Sequence, residues 1–418
     1  MRILIISWYF PPWNESASNR PHSWARYFAR HGHPTTVLTC RKDPRLHPDL
    51  STPLEPEPNL TVIETPLRLL DTPVAKGASW AAGSVPEVMR QARRHDVIIS
   101  TFMPWYVHVL GMIAKRANPR ALWCADYRDL WHEFDFFMQG RTMKRALAAR
   151  FEKFVVGPAD LTTTVSPPLA ESLSRTHPHI PSHTIYNGFP EAECRTARTL
   201  EELRARAAAG RPFEIMYAGT VYEGGYHDPE PLFRVLARGH WPRPVRLCFY
   251  GQAARSNLIR SLRERYHLEA VVELPEKPLS RADCVQRQRE ADLLLHLGWT
   301  NRSMDGVLTG KVFEYLAAGA PVLSVGADPD TAIGLLLEQT RAGLCVARDD
   351  ATIAGALEQL MTGNDCPAWF APRRDEILFY SRERQAGRLL DLLAAKAAGR
   401  WVSTSVAGAA VKGSHRPV

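Results

Sequence analysis

Residues 3–38, ILIISWYFPPWNESASNRPHSWARYFARHGHPTTVL, decide the fold. The run Ile3-Leu4-Ile5-Ile6 is short and wholly apolar, as a strand covered on both faces requires, and Pro11 and Pro12 stop it. After a polar loop to Asn19, the spacing predicts a helix over residues 20–31, with Pro21 at its first position and Gly32 as its stop. Trp24, Tyr27 and Phe28 fall at i, i+3 and i+4 and form one apolar stripe to lay on a sheet. Thr35-Thr36-Val37-Leu38 is the second strand, so the segment is one β-loop-α-β unit.

Further along, Val97-Ile98-Ile99, Ala121-Leu122-Trp123 and residues 161–165 are short apolar runs separated by helix-length stretches. That alternation predicts a doubly wound parallel sheet, whose functional loops leave the carboxyl ends of the strands. A proline-rich stretch, residues 41–60, reads as a surface excursion. Residues 191–211 are polar and hold no hydrophobic strand, and a second α/β series begins at Ile215-Met216-Tyr217-Ala218-Gly219. It continues with strands at residues 245–250, 271–274, 293–297 and 322–325. The expectation is an α/β protein of two Rossmann-like domains facing a central cleft, alike in pattern but sharing no repeated sequence. Their expected bounds are residues 1–190 and 191–375, followed by a helix over 376–398 that packs back on the first domain and a loose tail over 399–418.

Composition narrows the function. Of 418 residues, 45% are hydrophobic and 23% charged, which excludes a disordered chain. The seven cysteines are odd in number and scattered without a C-x-x-C pair, fitting neither a disulfide framework nor a zinc site, and imply a reducing, cytoplasmic setting. No apolar run approaches the roughly 20 residues that span a bilayer. The net charge of +8 is uneven: residues 1–190 hold 22 Lys and Arg against 16 Asp and Glu. With no nucleic-acid module beside it, that excess points to a phosphorylated substrate or an anionic membrane surface. Residues 141–156 sharpen the second option, because Lys144, Arg145, Arg150 and Lys153 are interleaved with Leu147, Phe151, Phe154 and Val155. Such a helix either lies on a membrane carrying a lipid-linked acceptor or packs on the protein with its charges solvated.

The chemistry is densest at Thr309-Gly310-Lys311-Val312-Phe313-Glu314-Tyr315-Leu316-Ala317-Ala318-Gly319-Ala320-Pro321. Gly310 allows close backbone approach, and the amides of Lys311 and Val312 would open a helix whose amino end favours a phosphate. Glu314, one turn in, either accepts two hydrogen bonds from a ribose diol or merely complements the helix dipole. The stretch resembles the signature of the glycosyltransferase family 4 group. So do Tyr9-Phe10-Pro11-Pro12 with Ser18-Asn19-Arg20, the run from Asp126 through Arg128, Asp129 and Trp131, Tyr186-Asn187-Gly188-Phe189, Tyr217-Ala218-Gly219-Thr220, and Ala291-Asp292.

The resemblance implies a two-Rossmann-domain (GT-B) enzyme that transfers a sugar, with retention and without a metal or other cofactor, from a nucleoside diphosphate sugar to a sugar, lipid-linked or other hydroxyl acceptor. It places the diphosphate on Gly310, Lys311 and Val312, the ribose on Glu314, the donor side of the cleft at Gly219 and Thr220, and the base near Pro275. The sequence departs from the family pattern in three places. The glutamate expected eight positions before Glu314 is Gly306, no Arg or Lys occurs in residues 221–231, and the loop after the first strand lacks paired glycines. Lys311, Arg20 and Arg302 are the substitute cations, in that order.

On the first domain, Asp129 is the candidate to orient or deprotonate the acceptor hydroxyl, and Arg128 to pair with a phosphate. An ion pair between the two that only ties the loop is the equal alternative. Trp131, Phe134, Phe136 and Phe137 read as core before acceptor cover, and His132-Glu133 lacks the second histidine of a metal motif. Asp328-Pro329-Asp330 resembles a metal-binding D-x-D but is better read with Asp330 as a helix cap. Competing functions are a sugar-nucleotide 2-epimerase of the same fold and a non-catalytic nucleotide-sugar-binding subunit.

Overall fold

The computed structural model describes residues 1–44, 49–67, 73–131, 142–277, 279–362 and 367–399. His132, Glu133, Phe134, Phe136, Phe137, Arg141, Cys366 and the tail beyond Gly399 lie outside them.

Seven parallel strands make the first sheet: β1 (Ile3–Ser7), β2 (Thr35–Cys40), β3 (Leu60–Thr65), β4 (Val97–Thr101), β5 (Leu122–Asp126), β6 (Leu161–Thr164) and β7 (Ser182–Thr184). Their order is β3-β2-β1-β4-β5-β6-β7. The second sheet holds β8 (Phe213–Ala218), β9 (Val245–Tyr250), β10 (Val272–Glu273), β11 (Leu293–Leu297), β12 (Val322–Val325) and β13 (Gly343–Val346), ordered β10-β9-β8-β11-β12-β13. Each order reverses direction once, between β1 and β4 and between β8 and β11. Crevices open at those switch points, outside the carboxyl ends of the strands.

The strands sit where they do because their two faces are buried differently. In β1, Leu4 and Ile6 join Trp80, Val88 and Leu110, while Ile3 and Ile5 join Trp24 and Phe28. The second face also receives Ala386, Leu389 and Leu393 from the helix Arg382–Ala397, which lies beside the helix Ser16–Arg30. The end of the chain therefore completes a core that its beginning starts.

Several expectations need correction. The first helix spans Ser16–Arg30, so Pro21 lies inside it, not at its first position. β3 and β7 are edge strands outside the expected set; β7 is three polar residues long, and β3 emerges directly from the proline-rich excursion. β13 follows β12, so residues 322–325 are not the last strand, and Thr331, not Asp330, caps the next helix by accepting the Gly334 amide. The long carboxyl-terminal helix is two, Arg374–Phe379 and Arg382–Ala397, because Ser381 caps the second through the Arg384 amide. Among the described residues no helix is long and apolar enough to cross a membrane.

Candidate active site

A cleft of about 530 Å³ lies between the two switch points. One wall carries Gly219, Thr220, Gly310, Lys311 and Glu314; the other carries Arg20, Arg128 and Asp129. The sequence thus brings together residues from positions almost 300 apart.

On the second-domain wall, Gly219 follows β8 with φ of +119°, a conformation in which a side chain is strained. A Cβ there would also stand 3.3 Å from the Cε and Nζ of Lys311, so the glycine leaves room for the lysine. Lys311 Nζ lies 3.9 Å from the centre of the Tyr217 ring and donates to its hydroxyl at 2.6 Å, and that hydroxyl donates to the Thr220 carbonyl at 2.6 Å. Burial of the ammonium lowers its pKa to about 7, an effect that the Glu314 charge partly opposes. The site therefore holds a cation short of hydrogen-bond acceptors at the start of the helix Gly310–Ala318, where a dianion would supply them.

Val312 does not take the role expected of it. Its side chain is fully buried, and its amide bonds to the Thr309 carbonyl at 3.3 Å. Glu314 lines the cleft, with Oε1 accepting from Arg281 Nη1 at 2.9 Å while Arg281 Nη2 is held by Glu193. Its Oε2 has no partner among the described residues, so the carboxylate can take further donors without losing its anchor.

On the first-domain wall, Arg20 is a correction. It shares the inward stripe of its helix with Trp24, which its guanidinium covers at 4.3 Å, and it is only 2% exposed. A charge so enclosed must be paired. Nε and Nη2 bind Asp126 at 3.1 and 2.7 Å, and Nη1 donates to the Ile185 carbonyl at 2.6 Å and the Tyr186 carbonyl at 3.1 Å. Asp126, the last residue of β5, also accepts from Thr101 and Thr163. The pair holds three strand ends in place, and four of the five N–H groups of Arg20 are committed to the protein.

Arg128 and Asp129 stand beyond that anchor, at the mouth of the cleft. No ion pair joins them, so the loop-tying alternative fails among the described residues; Arg128 instead lies 5.8 Å over the Tyr9 ring. Burial raises the Asp129 carboxyl above the ordinary range against the pull of Arg128. A carboxylate raised in this way, with no hydrogen-bond partner among the described residues, is suited to take a proton.

Arg302 is far exposed and pairs with Asp328 at 3.3 Å, outside the cleft lining, and the loop at Pro275 does not line it either. Residues that sequence reasoning missed take part instead. Arg382 lines the cleft from the carboxyl-terminal helix; its Nε donates to the Gly188 carbonyl at 3.3 Å, and burial, aided by the nearby Arg281 charge, lowers its pKa. Tyr222 and Trp299 face the same space, and Cys284 and Gln288 approach from the helix Arg281–Glu290. No local motif marks Arg382, because it reaches the cleft only by the chain's return to the first domain. Among the described residues no group of three or more His, Cys, Asp or Glu is placed to hold a metal ion.

Residues 17–188 match the glycosyl transferase 4-like domain family. No curated protein sequence matches the chain. Among solved structures, sucrose-phosphate synthase from Thermosynechococcus elongatus is 17% identical, with 96% of this chain and 100% of that one covered at a TM-score of 0.70. Anabaena HepE in complex with UDP and glucose is 16% identical, with 94% and 99% covered at 0.61. The lipopolysaccharide outer core galactosyltransferase WaaB is 13% identical, with 95% and 100% covered at 0.62. At these identities the likeness shows the fold, two Rossmann-like domains of GT-B type.

Proposed function

From a glycosyl transferase 4-like domain at residues 17–188 and a GT-B fold throughout, we propose that this protein is a retaining glycosyltransferase that needs no metal. It moves a sugar from a nucleoside diphosphate sugar to an acceptor hydroxyl in the making of a cell-surface polysaccharide, glycolipid or glycoconjugate. It works in the cytoplasm, at the inner face of the membrane when the acceptor is lipid-linked. One observation carries the reading: a buried, underpaired Lys311 at a helix amino end faces Asp129 and Arg128 across one cleft.

The diphosphate rests on the amide of Lys311 and its ammonium, with Gly310 giving backbone access, and Glu314 takes the ribose hydroxyls. As the sugar–phosphate bond breaks, negative charge grows on the departing oxygen, where Lys311 and the helix end are already in place; each such donor is worth roughly 3 kcal/mol of barrier. Asp129 receives the acceptor proton, and Arg128 holds an anionic group of the acceptor or donor. Retention follows the family that the signature resembles, with attack and departure on one face of the sugar. A metal has no task in this scheme, because protein cations meet the diphosphate charge.

The test is nucleotide release from a panel of sugar nucleotides, with and without sugar and lipid-linked acceptors, in the presence and absence of a chelator. UDP-glucose comes first because HepE is solved with UDP and glucose. Acceptor-dependent release that survives the chelator, with the anomeric configuration kept in the product, is expected. Interconversion of the donor without an acceptor would make the protein an epimerase, and tight binding without turnover on any acceptor would make it a binding subunit.

A further inference from the structure

We propose that the outward face of the helix Thr142–Val156 is a docking surface for an anionic lipid bilayer. This deepens the reading above only where that reading puts the protein at a membrane; it is independent of the chemistry in the cleft.

Met143, Leu147, Phe151 and Phe154 are 77%, 59%, 41% and 58% exposed. Only Leu54 and Leu335 are comparable large apolar side chains among the described residues. At 3.6 residues per turn the four fall within an arc of about 80° and form one continuous stripe. Stripes of that kind on a soluble protein mark a surface that something covers.

Charge says what covers this one. Lys144 and Arg150 lie on either edge of the stripe, roughly 60° from its centre by the same geometry. Lys153 is exposed beyond them, and Arg116 of the neighbouring helix stands 5.5 Å over the Phe154 ring. Trp105 packs edge-on to Phe151 at 5.7 Å, where an indole suits the headgroup layer. The sole acid of the helix, Glu152, points the other way; it is 1% exposed and accepts the Tyr127 hydroxyl at 3.0 Å. An apolar stripe bordered by cations and free of acids complements an anionic membrane, with apolar side chains entering the acyl boundary and cations meeting the headgroups. Tyr127 directly precedes Arg128 and Asp129, so its bond to Glu152 ties the docking helix to the acceptor side of the cleft.

Flotation of the full-length protein with vesicles tests this, using phosphatidylcholine alone and phosphatidylcholine mixed with phosphatidylglycerol. Binding is expected to the mixed vesicles only. K144Q/R150Q is expected to weaken it about 30-fold, and L147E/F154E at least as much, with circular dichroism unchanged in both variants. The proposal is overturned if neither vesicle binds, if the variants bind as the wild type does, or if the wild type is a dimer that L147E/F154E splits, which would give the stripe to a second copy. A protein that floats with anionic vesicles yet binds no sugar nucleotide would sink the transferase reading and leave this one standing.

Discussion

Donor binding should carry the signature of Lys311. With its pKa lowered to about 7, the ammonium of the free protein is largely neutral by pH 8. A bound diphosphate restores the charged form and moves the pKa back toward the ordinary lysine value near 10.4. Binding must then take up a proton wherever the free lysine has lost its own. Between pH 6.5 and 8.5 the protonated fraction of the free protein falls about 25-fold, so Kd should rise by about that factor, roughly 1.9 kcal/mol. Isothermal titration calorimetry with UDP-glucose in two buffers of different ionisation heat reads both the Kd and the proton uptake, which should approach one at pH 8.5. Lys311→Met should bind weakly and with no pH dependence. The sign for stability is consistent: below pH 7 the lysine is charged in folded and unfolded chains alike, so the cost of burying it is present in full. That cost is relieved as pH rises from 7 toward the unfolded value, and the ligand-free protein should gain thermal stability over that range. A Kd that stays constant from pH 6.5 to 8.5 with no proton uptake would refute the placement of the diphosphate on Lys311.

Arg20→Ala leaves the fully buried Asp126 without its main partner and should cost about 3–5 kcal/mol in urea unfolding, while donor affinity of the folded fraction stays within a few-fold; unchanged stability would contradict the structural role. Glu314→Ala should weaken UDP-glucose binding about 10- to 150-fold through loss of charge-assisted hydrogen bonds to the ribose, and Arg281 should remain folded against Glu193; wild-type affinity by calorimetry would remove the ribose site. Asp129→Asn should lower acceptor-dependent nucleotide release about 100-fold or more with the donor Kd unchanged, and a normal rate would end its role as base. Gly306→Glu should not add a sugar contact: a Cβ there stands 3.1 Å from Leu169 Cδ2 and Pro168 Cβ, so the variant should lose about 1–3 kcal/mol in thermal unfolding without a gain in turnover, whereas improved turnover would show that the position faces the ligand.

What could be read from the sequence follows from how local each signal is. The central strands β1, β4, β9, β11 and β12 are covered on both faces and therefore write mostly apolar runs, broken at single positions such as Arg246, His296 and Ser324. The edge strands β3, β7 and β13 are half-exposed or very short and write a weaker signal, as β7 with its three polar residues does most plainly. The helix start at Gly310 and the cleft positions of Lys311 and Glu314 were legible because one contiguous motif contains them. Arg20 was legible as a special residue but not in its role. Whether a guanidinium faces a ligand or a carboxylate at residue 126 depends on two elements meeting, and nothing near Arg20 in sequence records that. Arg382 lay outside any motif for the same reason.

Two of the three departures from the family pattern, at Gly306 and in residues 221–231, share one cause, which is that two loops expected to serve the ligand bind each other and the first domain. Residues 221–231 meet the loop after β11 through the His227–Trp299 bridge, the bond from the Thr300 amide to the Tyr226 carbonyl and the hydroxyl bond from Thr300 to the Gly225 carbonyl. Tyr222, His227 and Trp299 pack together with ring centres 4.7 to 5.4 Å apart. Burial and the nearby Lys311 charge lower the His227 pKa to about 3, so this cluster is neutral. A lysine or arginine in that layer would have to bury a second charge beside the buried Lys311, which is costly. The same loop then turns toward the first domain, where the Ser166 hydroxyl donates to the Gly306 carbonyl and a Cβ at Gly306 would press on Leu169 and Pro168 at 3.1 Å. With both loops committed to packing, positive charge for the diphosphate enters from the helix at Lys311, from the returning chain at Arg382 or from Arg128 on the facing wall. Loss of cations from one loop therefore does not imply loss of charge stabilisation in the cleft, and the missing residues do not by themselves argue for a binding subunit.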